Sequence, residues 1–276
     1  MYYRTAAPSF GSRGSGCSGR LIMAAAIAIF SLISYFGTTQ NNPITGETQH
    51  ISITPEQEIA LGLQAAPQME SEFGGEDTNA SDQAMVDQVG NKILQGSAAG
   101  NSPYQYEFHL LADPQTINAF ALPGGQVFIT RALYDKLQTE GELAGVLGHE
   151  VGHVVARHSA EQIAKTQLTE GLTGAAVIAA YDPNNPSSAN SAQIAALIGQ
   201  LVTLKFSRDD ELEADKFGVC FMNDSGYDPN EMISVMQILE AASSGNQPPE
   251  FFSTHPNPAN RIEQIQADIQ NINACP

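Results

Sequence analysis

The stretch His149-Glu150-Val151-Gly152-His153 lies in a segment that the sequence predicts to be helical. Residues four apart share one face of a helix, so the rings of His149 and His153 can bind one metal ion. Glu150 directly follows His149, so its side chain points to one side of that helix face. It can therefore hold a water on the metal without being a ligand, which is the general-base role of a metalloprotease glutamate.

This predicted helix has a defined start and an unusual glycine content. Thr139 as N-cap and Glu142 three residues on form a capping-box pattern. The helix then carries Gly145, Gly148 and Gly152, and each glycine costs about 1 kcal/mol relative to alanine in a helix interior. We expect the close approach of another backbone to compensate for that cost.

The sequence also constrains the third metal ligand. A catalytic zinc ion usually has three protein ligands and leaves a fourth position for water. A third histidine in the metzincin pattern would require glycine at 156 and histidine at 159, where Ala156 and Ser159 stand. A carboxylate ligand is therefore expected. On a continuous helix His158 would lie about 140° from His153, so we interpret His158 as a packing or surface histidine.

Acidic residues on a second predicted helix supply that carboxylate. Glu211 and Asp215 are four residues apart and share one face of the helix. This face presents Glu211 as a metal ligand together with Asp215, which can accept the free ring N–H of a ligating histidine such as His149. Glu213 and Asp209 point elsewhere at helical pitch, and we interpret them as solvated acids near the helix start.

Four separate motifs follow one another in a fixed order along the chain. They are Asn118-Ala119-Phe120-Ala121-Leu122-Pro123-Gly124-Gly125, then His149-Glu150-x-x-His153 with Arg157-His158, then Ser207-Arg208 leading into Glu211-x-x-x-Asp215, and finally Thr254-His255-Pro256 with Arg261. Together they resemble the gluzincin zinc metallopeptidase family of CAAX prenyl protease type I, HtpX and BepA. The layout is most similar to that of its periplasmic single-domain members, and the resemblance runs from about Thr54 to the C-terminus.

This resemblance implies both a fold and a metal site. The implied fold is α+β and mainly helical, a zincin-like metallopeptidase domain with a small antiparallel sheet beside the active-site helix. One Zn²⁺ per chain is implied, with His149, His153 and Glu211 as its ligands. The resemblance also implies that Glu150 is the catalytic base.

The segment 118–130 is the predicted substrate-binding strand. Its turn at 123–125 indicates a short antiparallel hairpin or a bent strand. In zinc peptidases of this architecture an exposed strand beside the active-site helix binds the substrate backbone as an additional strand. The alternative is a structural hairpin with no substrate contact. The predicted substrate contacts are Asn118, Ala119, Phe120 and Ala121.

His255 and Arg261 are two further catalytic candidates. Either side chain can stabilise the oxyanion of a tetrahedral intermediate. His255 can alternatively occupy the fourth zinc position and hold the enzyme inactive, or it can merely cap the loop before Pro256. The sequence leaves these alternatives open.

Charge and hydropathy divide the N-terminal region from the rest. The formal net charge is −18, yet residues 1–36 contain Arg4, Arg13 and Arg20 and no acid. An acidic domain is repelled by phosphate backbones, so nucleic acid is not expected as a partner. The apolar segment 21–39 is typical of a signal anchor or signal peptide, and the lack of a clear cleavage site favours an uncleaved anchor.

These patterns predict four parts of the chain: a cytoplasmic basic tail (1–20), a signal anchor or signal peptide (21–39), a linker (40–53) and a zinc metallopeptidase domain (54–276). The basic tail predicts that the domain lies outside the cytoplasm, in the periplasm if the cell is Gram-negative. Cys220 and Cys275 would both lie outside the cytoplasm, where a disulfide between them is permitted. Two free thiols are the alternative.

The favoured function is a zinc-dependent endopeptidase that is anchored to the membrane through its N-terminal segment and acts outside the cytoplasm. Its expected substrates are unfolded or damaged polypeptides, in protein quality control of the cell envelope. An alternative is a chaperone-like protein that binds unfolded envelope proteins with little or regulated proteolysis. A third possibility is a structural metal site closed by His255. The sequence leaves the oligomeric state open.

Overall fold

The structure, a computed structural model, describes residues 16–180, 205–243, 249–257 and 260–275. Most of the tail predicted at 1–20 lies outside these residues. So does most of the core helix that an apolar run predicts at 194–206. Helices dominate the described part of the chain, and two small sheets accompany them.

The described residues form ten α-helices and five strands. The helices are α1 (Gly16–Gly37), α2 (Pro55–Glu72), α3 (Ala80–Gly96), α4 (Arg131–Tyr134), α5 (Glu140–Val155), α6 (His158–Ala180), α7 (Arg208–Asp224), α8 (Glu231–Ser243), α9 (Phe251–Thr254) and α10 (Arg261–Gln270). The strands are β1 (Thr39–Asn41), β2 (Thr48–His50), β3 (Glu107–Leu111), β4 (Ala119–Ala121) and β5 (Gln126–Thr130). Short 3₁₀ helices lie at Ala98–Asn101 and Ile272–Ala274.

Two helix starts illustrate how local sequence sets these boundaries. Thr54 accepts a hydrogen bond from the backbone N–H of Gln57, whose side chain accepts one from the backbone N–H of Thr54, so α2 has a full capping box. At α5, Thr139 accepts from the N–H of Glu142, but the Glu142 carboxylate accepts from Gln138 instead of Thr139. The predicted start of α5 is confirmed, whereas its capping box is only half formed.

The larger sheet has the strand order β3-β5-β4 and is mixed. The predicted hairpin is confirmed, because β4 pairs antiparallel with β5 across the turn at Pro123-Gly124-Gly125. The prediction of an antiparallel sheet is wrong for β3, which pairs parallel with β5. The chain crosses from β3 to the far side of β5 before β4 begins, so β3 and β5 run in the same direction. Gly124, with φ of 85°, lets the turn pack on α2, where an added Cβ would lie 2.4 Å from the Ile59 Cα.

Helix α5 is the centre of the fold. Every residue from Gly141 to Val155 is buried, and the helix packs against α3, α7, α8 and the sheet. Its glycines allow the close contact with α7, since an added Cβ on Gly152 would lie 2.8 Å from the Ala214 carbonyl oxygen. Gly148 likewise faces the backbone of Gly218. The expected close backbone approach at these glycines is confirmed.

Residues 40–53, which the sequence predicts to be a linker, are instead packed against the domain. They contribute the β1–β2 hairpin, whose buried Asn42 donates its side-chain N–H to the Val155 carbonyl over 2.7 Å. The buried Gln49 side chain donates to the carbonyl of Ala156. The last carbonyls of a helix have no partner within the helix. The hairpin therefore caps the C-terminus of α5.

Helix α1 packs along α6 and leaves much of its apolar surface uncovered. Seven of its large apolar side chains expose more than half of their surface: Leu21, Ile22, Met23, Ile29, Phe30, Ile33 and Phe36. Within the described residues, however, we find no helix whose length and apolar character suffice to cross a membrane.

Cys220 of α7 and Cys275 near the C-terminus form a disulfide, which resolves the choice between a bridge and two free thiols. The bridge joins residues 55 positions apart and fixes the C-terminal 3₁₀ helix to α7.

Reduction of this disulfide should lower the free energy of unfolding by about 2–4 kcal/mol, because the bridge restricts the unfolded chain. Denaturant unfolding with and without reductant measures the effect. The double variant C220A/C275A should be less stable than the wild type and insensitive to reductant. Identical wild-type unfolding curves in the two conditions would contradict the expectation.

Candidate metal centre

Helices α5 and α7 bring the three predicted metal ligands together. The Nε2 atoms of His149 and His153 are 3.1 Å apart. Glu211 directs Oε1 to 3.4 Å from the His153 Nε2 and Oε2 to 3.6 Å from the His149 Nε2. All three side chains are buried. Two imidazole nitrogens and one carboxylate therefore face a common point.

His255, which follows α9, belongs to the same cluster. Its Nδ1 lies 3.0 Å from the Glu211 Oε1 and 3.4 Å from the His149 Nε2. The ring is fully buried and stacks on Phe251, with the ring centroids 4.4 Å apart. The structure thus brings His255 to the three predicted ligands.

Buried atoms without hydrogen-bond partners test whether this cluster fits a metal ion. Buried polar groups in proteins nearly always have a partner. Among the described residues, the Oε2 of Glu211 and the Nε2 of His255 are buried and have none. Two histidines and one glutamate form a ligand set of catalytic zinc sites, which leaves a further position open. The donor set therefore fits a zinc ion.

The protonation states at the cluster also fit a metal site. Burial lowers the pKa of His153 well below its usual range, so the ring is neutral near pH 7. Burial alone would raise the pKa of Glu211, but the neighbouring His255 and His153 rings hold it well below its usual range. A neutral imidazole and an ionised carboxylate are the forms that bind metal.

Glu150 lies on α5 between the two histidines and is fully buried. Neither of its carboxylate oxygens has a hydrogen-bond partner among the described residues, and Oε1 lies 3.7 Å from the His255 Nε2. Burial raises the pKa of Glu150, and the neighbouring His255 ring only partly counters this effect. A carboxylate with a raised pKa and free oxygens can accept and return a proton.

Asp215 and Arg261 contact two of the predicted metal ligands, His149 and Glu211. Asp215 Oδ1 lies 2.8 Å from the His149 Nδ1, the contact that helical spacing predicts. Arg261 donates from Nε and Nη2 to the two Asp215 oxygens over 2.6 and 2.8 Å, and its Nη1 lies 3.1 Å from the Glu211 Oε2. The guanidinium therefore hydrogen-bonds Asp215 and lies at ion-pair distance from Glu211, while its Nη1 has no hydrogen-bond partner among the described residues. Its suggested contact with an oxyanion stays a prediction.

His158 is buried, as a packing residue is, and lies outside the group of metal donors, but the assumption that α5 continues to it is wrong. Helix α5 ends at Val155, and Arg157 adopts a positive φ of 60°, so the helix does not continue to His158. The turn brings the His158 Nδ1 to 2.8 Å from the His153 Nδ1. Glu213, interpreted as a solvated acid, instead contacts the His158 Nε2 over 3.2 Å.

Two residues that the sequence did not single out hold this turn. The Arg157 guanidinium pairs with the buried carboxylate of Glu58 on α2 and donates to the Ile53 carbonyl over 3.0 Å. Tyr104 donates its hydroxyl to the other Glu58 oxygen. Glu58 lies 99 positions from Arg157, and no spacing pattern links them.

A cavity of about 360 Å³ adjoins the cluster beside β4. The described residues pair β4 with β5 on one side only. Asn118, Phe120 and Ala121 line the cavity together with His255, and the buried Asn118 Oδ1 has no hydrogen-bond partner within the described part of the chain. The Ala119 side chain packs in the core instead. Three of the four predicted substrate contacts thus lie at the cavity, and their role stays a prediction.

The sequence matches Peptidase family M48 over residues 80–269. The chain belongs to peptidase family M48. This membership confirms the predicted gluzincin family, the zincin-like α+β fold and the enzyme class of a metalloendopeptidase.

Two of the family's characterised members show the extent of the similarity. The chain is 31% identical to the mitochondrial metalloendopeptidase OMA1 of Schizosaccharomyces pombe over 237 residues, which is 85% of this chain and 67% of that protein. It is 30% identical to the beta-barrel assembly-enhancing protease of Escherichia coli K12 over 197 residues, which is 67% of this chain and 38% of that protein. The chain thus spans little more than a third of the latter protein.

The contact between α5 and α7 in this M48 peptidase yields a testable prediction. Gly152→Ala should lower the free energy of unfolding by about 1–3 kcal/mol, because the new Cβ overlaps the Ala214 backbone. It should also weaken metal binding, because α7 carries Glu211. Gly148→Ala is the matched control, since its Cβ would lie 3.4 Å from Gly218. That variant should keep or increase stability, and equal thermal unfolding of both variants would contradict the prediction.

Proposed function

We propose that this protein is a zinc-dependent endopeptidase with one Zn²⁺ per chain. His149, His153 and Glu211 would hold the ion, and Glu150 would act as general base. The observation that carries the proposal is the buried cluster itself. Its donor atoms converge beside a buried glutamate whose two oxygens have no partner among the described residues.

The residues of the site account for hydrolysis of a peptide bond. Zinc, when bound, supplies a Lewis acid that polarises the scissile carbonyl. Glu150 takes a proton from the attacking water and returns it to the leaving amine, which its raised pKa favours. Asp215 keeps the His149 ring in one orientation through its Nδ1–H. The edge of β4 that pairs with no other described strand would hold the substrate backbone in extended form.

We further propose that His255 acts as a fourth ligand in the conformation described here. Its Nδ1 lies within hydrogen-bond distance of Glu211 and near the His149 Nε2, among the predicted ligand atoms. Because the ring also adjoins the cavity beside β4, it must move for a substrate carbonyl to reach the site. In the open form His255 could instead donate to the oxyanion, which was its other predicted role.

The proposed substrates are unfolded or damaged polypeptides of the cell envelope, since an extended chain fits the one-sided strand β4 and the adjoining cavity. The similarity to a beta-barrel assembly-enhancing protease supports an envelope role, and the disulfide supports a location outside the cytoplasm. The uncovered apolar surface of α1 supports attachment to a membrane through the N-terminal segment. Binding of unfolded strands with little cleavage is the alternative function.

Metal analysis of the purified protein tests the proposal. We expect about one zinc ion per chain, the stoichiometry of a catalytic zinc site. Chelation should abolish cleavage of an unfolded model protein, and added zinc should restore it. Loss of a bound ion also removes its stabilisation of the folded state, so the melting temperature should fall on chelation. A purified protein without stoichiometric metal would contradict the ligand assignment.

A further inference from the structure

Each of the two ligand histidines has a second ring nitrogen that faces away from the cluster. For His149 this is Nδ1, which meets the carboxylate of Asp215 at 2.8 Å. For His153 it is also Nδ1, but its partner is another imidazole, that of His158, at 2.8 Å. The two ligand rings are therefore held by different chemical groups.

A metal ion on the Nε2 of His153 would set which nitrogen carries each proton. The hydrogen of His153 would then be on Nδ1, which donates to the His158 Nδ1. His158 then carries its own hydrogen on Nε2, which lies 3.2 Å from the Glu213 Oε2. The chain of donors runs from His153 through His158 to Glu213. It ends on a carboxylate, as the shorter chain from His149 does.

The surroundings hold this chain in one geometry. His158 is 1% exposed, and the side chain of Glu213 is 24% exposed. Phe206 stacks on the outer face of the His153 ring, with the ring centroids 4.0 Å apart. The left-handed turn at Arg157, paired with Glu58, fixes where α6 begins and thus where the His158 ring lies.

We propose that His158 and Glu213 form a positioning pair for the metal ligand His153, as Asp215 does for His149. The inference rests on the proposed metal site. Partners of the outer ring nitrogen fix the tautomer and orientation of a ligating histidine and raise its basicity. Glu213 contacts His158 and His158 contacts His153, so the carboxylate of Glu213 acts on the metal ligand through the intervening ring of His158.

Variants of His158 that differ only in their acceptor test the pair. In H158N the side-chain oxygen can take the place of Nδ1 and accept from His153, whereas H158L offers no acceptor. Zinc affinity, measured by competition with a chelator, should fall about 10- to 100-fold in H158L, as for other partners of metal-binding histidines. H158N should recover much of this loss. The Co²⁺-substituted proteins should show a changed visible absorption spectrum in H158L.

Glu213 provides a test that does not alter the buried core. E213A should weaken zinc binding by several-fold, and D209N, which changes an exposed acid on the same helix, should leave it unchanged. The NMR signals of the zinc-loaded wild type should show His158 protonated on Nε2. Equal zinc affinity of the wild type, H158L and E213A, or a His158 protonated on Nδ1, would overturn the inference. A wild type that binds no stoichiometric zinc would instead overturn the proposed function.

Discussion

Replacement of Glu150 by glutamine should reduce hydrolysis of an unfolded model protein by about 10²–10⁴-fold, the usual contribution of a general base. Glutamine has nearly the same shape as glutamate but cannot accept the proton of the attacking water. Glu150 has no hydrogen-bond partner among the described residues, so the exchange breaks no hydrogen bond and weakens only the 3.7 Å contact with the His255 Nε2. Zinc content and the melting temperature should therefore stay close to those of the wild type.

The same variant separates the protease from the chaperone-like alternative. A protein that acts mainly by binding unfolded strands keeps its cellular role in E150Q, and cells that carry the variant would show no envelope defect. Glu140→Gln is the control, because Glu140 is an exposed acid at the start of the same helix and should be dispensable. Persistent cleavage by purified E150Q would show that the mechanism is wrong.

Replacement of Arg261 by alanine should lower the free energy of unfolding by about 3–5 kcal/mol, the cost of removing one partner of a buried ion pair. Arg261 is 1% exposed and donates two hydrogen bonds to Asp215, which is itself fully buried. Without the guanidinium, Asp215 keeps a buried charge whose remaining partner is His149. We therefore expect α7 and α10 to lose the pair of hydrogen bonds between Arg261 and Asp215.

Denaturant unfolding of metal-free protein measures this loss without the contribution of zinc. R261K tests the geometry, since a lysine keeps the charge but cannot make two parallel hydrogen bonds, and it should lie between R261A and the wild type. Arg208→Ala changes an exposed arginine and should alter the stability by less than about 0.5 kcal/mol. If R261A matched the wild type, the ion pair would have no role in holding the cluster.

The parts of the site that depend on spacing within one helix were predictable. His149 and His153 share a face because they are four residues apart, and the same rule pairs Glu211 with Asp215. The structure brings these four side chains together as that rule requires. The two pairs of side chains meet because the two helices pack closely. The glycines of α5 already indicated this close packing.

The role of His158 could not be predicted from helical spacing because the helix ends before it. Arg157 adopts a left-handed conformation, which costs about 1 kcal/mol or more for a residue other than glycine. The buried pair with Glu58, 99 positions away, compensates for this cost. A contact so distant in sequence leaves no periodic pattern. Spacing therefore placed His158 on the wrong side.

The direction of β3 and the packing of residues 40–53 against the domain could not be predicted from the sequence either. Alternation along β3 indicates a strand but does not reveal whether its neighbour runs parallel or antiparallel. Asn42 and the polar residues around it have the composition of a linker. Only the position of Val155 in the folded chain shows that the Asn42 amide has a buried acceptor.

The β1–β2 hairpin sets the minimum length of a functional enzyme. A shortened protein that begins at Thr54 would leave the carbonyls of Val155 and Ala156 without the amide donors of Asn42 and Gln49. Each unsatisfied buried group costs about 1–3 kcal/mol. Both carbonyls lie within one turn of His153, so fraying would begin next to a metal ligand. Cleavage between β2 and α2 would therefore cut the covalent link between the hairpin and the rest of the domain, whereas cleavage between α1 and β1 would leave that link in place.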